Sequence, residues 1–252
     1  MHLHVAFVPP LVQDSPQVCI VVDVIRASTT LVTLLDRGAG KVLIAGDVAS
    51  ARQYAARHPG LVLAGEELGL APRGFQYGNS PVELSRADVS GRTVVFVTTN
   101  GTAAIHAVDT RGPVLVGALR NAAAVSREAA RLARGINAGV TIVCAGREGA
   151  FGIDDAYTAG CLIDLLLMEV RPTSHESRGT SHDGPELTDA ALAALRLFRS
   201  DPDTTAVFRM SAAGRNVIGL GLGDDVTFCA ERDRSTAVPM LGRELHTLPP
   251  EL

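Results

Sequence analysis

Short apolar runs alternate along this chain with longer segments of mixed polarity. The clearest runs, at 18–23, 93–98 and 140–144, are rich in valine and predict β-strands. The segments 27–36 and 122–134 lie between such runs and have the apolar spacing of helices. Strands that alternate with helices indicate a largely parallel sheet that helices cover. We therefore predict an α/β fold.

The carboxyl-terminal third has a different pattern. Residues 171–184 are polar with almost no apolar side chains, which predicts a surface loop at about 171–186. Two or three helices are expected from 188 to about 220, and two final strands at 225–229 and 237–241. We interpret residues 1–252 as a single domain that carries this loop.

Composition narrows the class of protein. The formal charge is −4, from 23 basic and 27 acidic residues, so no basic surface for nucleic acid is expected. Four widely spaced cysteines lack the spacing of a zinc site, and we expect reduced thiols in a cytoplasmic protein. Asp23 and Asp164 interrupt the longest apolar runs, so no membrane span is expected.

The segment 18–35 is the most informative part of the chain. The apolar run ends at Asp23, Arg26 follows, and three hydroxyl residues then open a helix: Ser28, Thr29 and Thr30. The carboxyl end of a parallel strand and the first turn of a helix are a common place for an anion, and arginine binds phosphate or carboxylate well. Asp23 could equally cap the helix with no ligand present.

Two further junctions repeat this arrangement, at Thr98–Thr102 and at Cys144–Asp155, and Glu66 ends a fourth predicted strand. Parallel strands bring such turns to one edge of a sheet. The edge would then carry carboxylates, arginines and hydroxyls, which suits Mg²⁺ together with a phosphorylated substrate. The candidate residues are Asp23, Glu66, Glu148, Asp154, Asp155, Arg26, Arg147, Ser28, Thr29, Thr30, Thr99, Asn100, Gly101 and Thr102.

Several of these residues also have a structural interpretation. Asn79 and Ser80 precede Pro81 and could bind substrate or cap a helix. Asp154 and Asp155 are typical helix-start residues, and this is the favoured interpretation for at least one of them. Cys144 could be a nucleophile beside Arg147, but a cysteine at a strand end is more often a small buried residue.

The following motifs occur in this order along the chain: Asp23-Val-Ile-Arg-Ala-Ser-Thr-Thr30, Gly65-Glu66, Gly74-Phe75, Gly78-Asn-Ser-Pro81, Thr98-Thr-Asn-Gly-Thr102, Cys144-Ala-Gly146 with Gly149 and Phe151, and Asp225-Val226 ahead of Val238-Pro239. Taken together, they show a resemblance to the 2-phosphosulfolactate phosphatases, the ComB family, from about residue 18 to 241. It implies a three-layer α/β/α fold with a mixed, largely parallel sheet, and a magnesium-dependent phosphatase. The implied substrate is a small 2-phospho-hydroxy acid that bears a sulfonate, and its product belongs to coenzyme M biosynthesis.

Two positions depart from the family pattern. Glu67 stands where an arginine commonly follows Gly-Glu, and Gln76 stands where an aspartate commonly follows Gly-Phe. Two alternatives therefore remain at this point. The chain could be a phosphatase for another phosphorylated metabolite, or a non-catalytic protein that binds a small anion on the same fold.

The working hypothesis is direct hydrolysis of the phosphate ester. Asp23 and Glu66 would hold Mg²⁺ against the phosphate, and Arg26 and Arg147 would neutralise charge that develops in transfer. The N–H and hydroxyl groups of 28–30 and 99–102 would bind the anion, and Asn79 and Ser80 would contact the substrate. A homodimer is possible, and neither a nucleic acid nor a membrane is an expected partner.

Overall fold

The computed structural model describes residues 1–9, 17–99, 101–108, 112–170 and 184–248, without the side chains at 102, 103 and 106. The described strands are β1 (His2–Ala6), β2 (Gln17–Val22), β3 (Lys41–Ala45), β4 (Val62–Gly65), β5 (Thr93–Val97), β6 (Val114–Val116), β7 (Gly139–Cys144), β8 (Glu186–Leu187) and β9 (Leu245–Thr247). The described helices are α1 (Ala27–Asp36), α2 (Val48–Arg57), α3 (Pro81–Leu84), α4 (Gly101–His106), α5 (Ala122–Gly135), α6 (Ile153–Glu169), α7 (Asp189–Ser200), α8 (Thr204–Met210), α9 (Ala212–Gly219) and α10 (Gly223–Cys229).

The strands form two parallel sheets, with the orders β6-β2-β7-β1-β8 and β4-β5-β3-β9. This confirms the predicted α/β class with parallel strands. Because strands in a parallel sheet point the same way, the carboxyl ends of β2 and β7 are neighbours in one sheet. Those of β4 and β5 are neighbours in the other.

Alternation along β2 explains how the layers pack. All six residues of this strand are buried. Val18, Ile20 and Val22 face a core shared with helices α5, α6 and α7. Cys19 and Val21 face the opposite way, into a core shared with α1, α4 and the second sheet. Helix α2 covers the outer face of the second sheet. Both faces of β2 are thus covered, which is why its sequence is a continuous apolar run.

The expected strands near the carboxyl terminus are wrong in part. Residues 225–229 lie in helix α10, in which Val226 and Cys229 are buried one turn apart. Five residues are too few to separate this spacing from a strand pattern. The expected strand at 237–241 forms only isolated bridges, from Met240 to Leu115 of β6 and from Leu241 to Leu245 of β9. Strand β3 pairs with β5 on one side and with β9 on the other, and the sequence pattern did not predict β9.

The expected surface loop at 171–186 lies mostly outside the described residues, which resume at 184. In the part of the chain that the structure describes, no helix combines the length and the apolar character that a membrane span requires.

Helices α6 and α7 meet at a glycine, and this contact gives a testable expectation. A Cβ atom on Gly160 would lie 2.1 Å from the Ala194 carbonyl oxygen and 2.7 Å from the Phe198 Cβ. We therefore expect Gly160→Ala to lower the free energy of unfolding by about 1–3 kcal/mol in urea titrations, because the added methyl group forces the two helices apart. The matched change Gly135→Ala, where no atom lies within 4 Å, should leave stability unchanged or slightly higher. Equal stability of both variants would contradict this packing.

Candidate active site

A cavity of about 560 Å³ lies at the carboxyl ends of both sheets, within the range of about 300–1,000 Å³ that is typical of ligand sites. Its lining includes Asp23 after β2, Glu66 after β4, Thr98 after β5 and Gly146 after β7. Residues from α8 to α9, around Ser211, complete the wall. The four strand ends therefore converge as predicted, but they belong to two sheets, whereas the sequence pattern predicts one edge of a single sheet.

Asp23 lies at the bottom of this cavity with 8% of its surface exposed. Its Oδ1 accepts a long hydrogen bond from the Ala27 N–H at 3.4 Å, and its Oδ2 would lie 3.1 Å from a Cβ added to Gly101. Burial raises the pKa of Asp23 to about 7, and the charges of Asp154 and Glu66 add to this effect. Burial and the neighbouring negative charges disfavour the ionised form of Asp23. A bound cation would favour that form, so this carboxylate is suited to bind one.

Asp154 and Asp155 open helix α6 and have different roles. Asp155 Oδ1 accepts from Val24 N–H at 2.9 Å, and its Oδ2 accepts from Gly146 N–H at 3.0 Å, so it joins the turns after β2 and β7. Burial, with the charges of Asp154 and Asp23, raises its pKa well above the ordinary value. Burial raises the pKa of Asp154 to about 6. Asp155 thus holds the site together, as the structural interpretation expects, and Asp154 faces the cavity.

Glu66 also lines the cavity, but both of its carboxylate oxygens already accept hydrogen bonds from neighbouring turns. Oε1 accepts from the Thr99 N–H and hydroxyl, both at 2.7 Å, and Oε2 accepts from Gly69 N–H at 2.8 Å. Its role as a Mg²⁺ ligand stays a prediction. Its positioning role is visible in these contacts.

The change Glu66→Gln tests that positioning role. A glutamine keeps one acceptor oxygen and turns an NH₂ group toward an N–H donor, either that of Thr99 or that of Gly69. We expect the free energy of unfolding to fall by about 1–3 kcal/mol in a urea titration, because a buried donor loses its partner. The control Glu67→Gln changes an exposed neighbour and should cost less than about 0.5 kcal/mol. A Glu66→Gln protein as stable as this control would refute the role.

Arg26 is buried and forms an ion pair that the sequence did not indicate. Nη1 donates to Asp225 Oδ2 at 2.9 Å, and Nη2 donates to the Gly69 carbonyl at 2.7 Å. The exposed fractions of the two paired side chains are 3% and 1%. Arg26 therefore fixes helix α10 and the loop after β4 against the first turn, and its predicted contact with phosphate would have to come from donors outside these bonds.

The hydroxyls of Ser28 and Thr29 hydrogen-bond within the turn itself, whereas the buried Thr30 Oγ1 has no partner within the described structure. Ser28 Oγ accepts from Asp23 N–H at 2.8 Å, and Thr29 Oγ1 donates to the Val24 carbonyl at 2.9 Å. The N–H groups of Ser28 and Thr30 donate to the carbonyls of Asp23 and Arg26. None of 28–30 is among the lining residues of the cavity. The interpretation as helix-opening residues accounts for these contacts, and their role in anion binding stays a prediction.

Of the two roles considered for Asn79 and Ser80, Ser80 has the helix-capping role and Asn79 is placed to contact a ligand. Ser80 caps α3, where its Oγ accepts from Glu83 N–H at 3.1 Å, and it donates to Asp225 Oδ1 at 2.6 Å. Asn79 lines the cavity, is 5% exposed, and its buried Oδ1 has no hydrogen-bond partner within the described structure. A buried amide oxygen without a partner is unusual. Asn79 is thus the member of this pair that fits a ligand.

The turn after β5 is described only in part. Thr99 lines the cavity and donates to Glu66, and Gly101 begins α4 close to Asp23. Asn100 and the side chain of Thr102 lie outside the described residues. Their predicted role in binding the phosphate therefore stays a prediction.

Arg147 lines the cavity as predicted, and a second arginine that the sequence did not indicate joins it. Arg147 Nη1 donates to the Ala212 carbonyl at 3.4 Å, and its Nε lies 3.7 Å from Glu148 Oε1. Arg215, on α9, also lines the cavity and donates through Nη1 to the Met210 carbonyl. No strand-end motif precedes Arg215, so only the packing of α8 and α9 places it here.

Cys144 does not fit a nucleophile. It is fully buried, and burial raises the pKa of its thiol well above the ordinary value, with the charges of Asp155 and Asp154 adding to the shift. The thiolate is the reactive form. The interpretation as a small buried residue is the one that this environment supports.

The two departures from the family pattern lie away from the cavity lining. Glu67 and Gln76 are both exposed, and Gln76 Oε1 accepts from Leu63 N–H at 2.7 Å. Neither side chain is among the lining residues, although Glu67 lies between the lining residues Glu66 and Leu68. The alternative of a non-catalytic binder, which rested on these two positions, stays a prediction.

The donor chemistry of the cavity suits Mg²⁺. Within the described residues, no three histidine, cysteine, aspartate or glutamate side chains form a ready-made metal group. Mg²⁺ commonly takes only one or two carboxylates and completes its shell with water and substrate oxygens. Asp23, Asp154 and the unpartnered Asn79 Oδ1 are all oxygen donors that line the cavity. These residues therefore fit the ion.

Comparison with known proteins gives a consistent result. The family model described as 2-phosphosulpholactate phosphatase matches residues 7–244. This chain is also similar to proteins named probable 2-phosphosulfolactate phosphatase. The one from Thermus thermophilus is 42% identical, and the alignment covers 96% of this chain and 94% of that protein. The Deinococcus radiodurans protein of that name is 39% identical, covering 92% and 91%. The Symbiobacterium thermophilum protein is 35% identical, covering 92% and 94%. The chain therefore belongs to the 2-phosphosulfolactate phosphatase family.

Proposed function

We propose that this protein is a Mg²⁺-dependent phosphatase that hydrolyses 2-phosphosulfolactate to 3-sulfolactate and phosphate. The observation that carries the proposal is the group of buried oxygen donors, Asp23, Asp154 and Asn79, in a cavity at the converging strand ends. Family membership over residues 7–244 supports the substrate. The product would enter coenzyme M biosynthesis, and we place the reaction in the cytoplasm.

Asp23 is the residue that would hold Mg²⁺, with Glu66 as the predicted second ligand and Asn79 Oδ1 as a further oxygen donor on the same cavity. The bound ion would neutralise phosphate oxygens and favour attack at phosphorus. Arg26, through Asp225 and Gly69, keeps the turn that carries Asp23 in place. The substrate's phosphate lies at the bottom of the cavity in this arrangement.

Asp154 is the residue that best fits a general base. Its pKa of about 6 leaves it mostly ionised at neutral pH and still able to accept a proton. It takes a proton from the attacking water as the water oxygen bonds to phosphorus. The bond between phosphorus and the ester oxygen breaks, and the ester oxygen takes up a proton from solvent water and leaves as the hydroxyl of 3-sulfolactate.

A panel of phosphate esters tests the proposed substrate. We expect the purified chain with Mg²⁺ to release phosphate from 2-phosphosulfolactate with a kcat/KM well above that for 2-phospholactate or ethyl phosphate. A clear preference for another ester would favour a phosphatase for a different metabolite. Phosphate release from none of the esters, with 3-sulfolactate still bound in a calorimeter, would support the anion-binding alternative.

A further inference from the structure

The cavity has buried acids at its bottom, whereas its exposed mouth carries Arg147, Arg215 and Glu148, whose Oε1 lies 3.7 Å from Arg147 Nε. Asp23 and Asp154 are 8% and 4% exposed, whereas the Arg147 side chain is 39% exposed and Arg215 is an exposed residue. Arginine also occurs at Arg26, but that guanidinium is buried against Asp225. Among the described lining residues, Arg147 and Arg215 are therefore the arginines that face solvent.

The two exposed arginines of the cavity mouth, Arg147 and Arg215, both hydrogen-bond to the segment 210–212. Arg147 donates to the carbonyl of Ala212, and Arg215 donates to the carbonyl of Met210. Ser211 lies between these carbonyls, and its Oγ donates to the Phe208 carbonyl at 2.9 Å and accepts from the Gly214 N–H at 2.9 Å. Ser211 and Asp154 both line the cavity, so the segment that accepts from the two arginines belongs to the same site as the buried acid. A guanidinium has several N–H donors, so the bond from Arg215 to a carbonyl leaves most of its planar edge for an anion. Arg147 also pairs with Glu148 through Nε, which leaves it fewer donors for a ligand.

The proposed substrate has two kinds of anionic group. Its phosphate is transferred, and its sulfonate and carboxylate stay on the product. Phosphate requires the metal ligands at the bottom, so the groups that stay must extend toward the mouth. Sulfonate and carboxylate oxygens are good acceptors for arginine, and charge-assisted bonds of this kind are strong.

We propose that Arg215, together with Arg147, binds the acid groups of the substrate that are not transferred and thereby determines its specificity. This inference rests on the proposed function for the identity of the ester. It assigns to α9 a role in recognition that none of the strand-end motifs carries.

The test uses Arg215→Gln with two esters and with the product. We expect the ratio of kcat/KM for 2-phosphosulfolactate to that for ethyl phosphate to fall roughly tenfold to a hundredfold, mainly through a higher KM for the sulfonated ester. Calorimetry should show a similar loss of affinity for 3-sulfolactate. Arg209→Gln is the matched control, since Arg209 is an exposed arginine of α8 outside the cavity lining that contacts Thr227. It should behave as the wild type.

The two readouts separate this inference from the proposed function. An unchanged ratio and an unchanged 3-sulfolactate affinity in folded Arg215→Gln would overturn the role of Arg215. If the wild type released phosphate from no ester, the proposed function would fail, and the calorimetric comparison would still decide the inference. An equal loss for both esters would also overturn it, because Arg215 would then act on the phosphate.

Discussion

Replacing Asp23 by asparagine should reduce phosphate release roughly a hundredfold or more while the protein stays folded. The carboxylate is buried at the bottom of the cavity, 8% exposed, and is the proposed ligand that holds the ion against the phosphate. Asparagine has nearly the same shape and keeps an acceptor for the Ala27 N–H. Steady-state assays of phosphate release with saturating Mg²⁺ measure the loss. The control is Asp224→Asn, an exposed acid outside the cavity lining, which should retain wild-type turnover.

The same change, Asp23→Asn, should make the metal-free protein more stable than the wild type near neutral pH, although it lowers activity. Burial raises the pKa of Asp23 from 3.8 to about 7, so the folded state prefers the protonated acid. The wild type therefore loses stability as the pH rises from about 4 to about 7, because the unfolded chain releases this proton more readily. Asp23→Asn has no such proton to lose. In EDTA, its melting temperature should exceed that of the wild type at pH 8 by more than at pH 5. If the difference in melting temperature between Asp23→Asn and the wild type were the same at pH 5 and pH 8, it would contradict the environment assigned to Asp23.

Replacing Arg26 by methionine should cause the largest loss of stability, about 3–5 kcal/mol in the free energy of unfolding. The change leaves Asp225, with a side chain only 1% exposed, without its cationic partner. The Ser80 hydroxyl and the Val82 N–H still donate to Asp225 Oδ1, but Oδ2 loses the bond from Arg26. The Gly69 carbonyl loses its donor as well. Chemical denaturation measures the change.

Two further variants separate a buried pair from an ordinary surface pair. Arg131→Met removes an exposed arginine that pairs with Glu128 on α5, and should leave the unfolding midpoint nearly unchanged. The double variant Arg26→Met with Asp225→Leu removes both buried charges and should recover part of the stability that the single change loses. A single Arg26→Met variant as stable as Arg131→Met would show that the buried pair does not stabilise this site.

Local sequence patterns predicted the strand ends of this site well. Asp23 and Glu66 each follow a run whose β-strand character is encoded in consecutive residues, and parallel pairing places each at the carboxyl edge of its own sheet. Packing of the two sheets then brings both edges to one cavity. Asn79 could be named as a candidate because a helix start follows it, but its unpartnered oxygen is visible only once the cavity wall is built.

The residues that sequence patterns missed reach the site through distant packing. Asp225 lies about two hundred positions from Arg26, and the short helix that carries it had the composition of a strand. Arg215 depends on how α8 and α9 pack beside the first sheet. Such contacts have no local signal, because the energy that favours them comes from burial in the folded chain.

The most direct measurement of the central claim is phosphate release from 2-phosphosulfolactate by the purified wild-type protein, with Mg²⁺ present and after its removal by EDTA. We expect steady release with Mg²⁺, a rate at least about a hundredfold lower in EDTA, and recovery when Mg²⁺ is returned. A folded wild-type protein that releases no phosphate with Mg²⁺, or releases it equally fast in EDTA, would contradict the account.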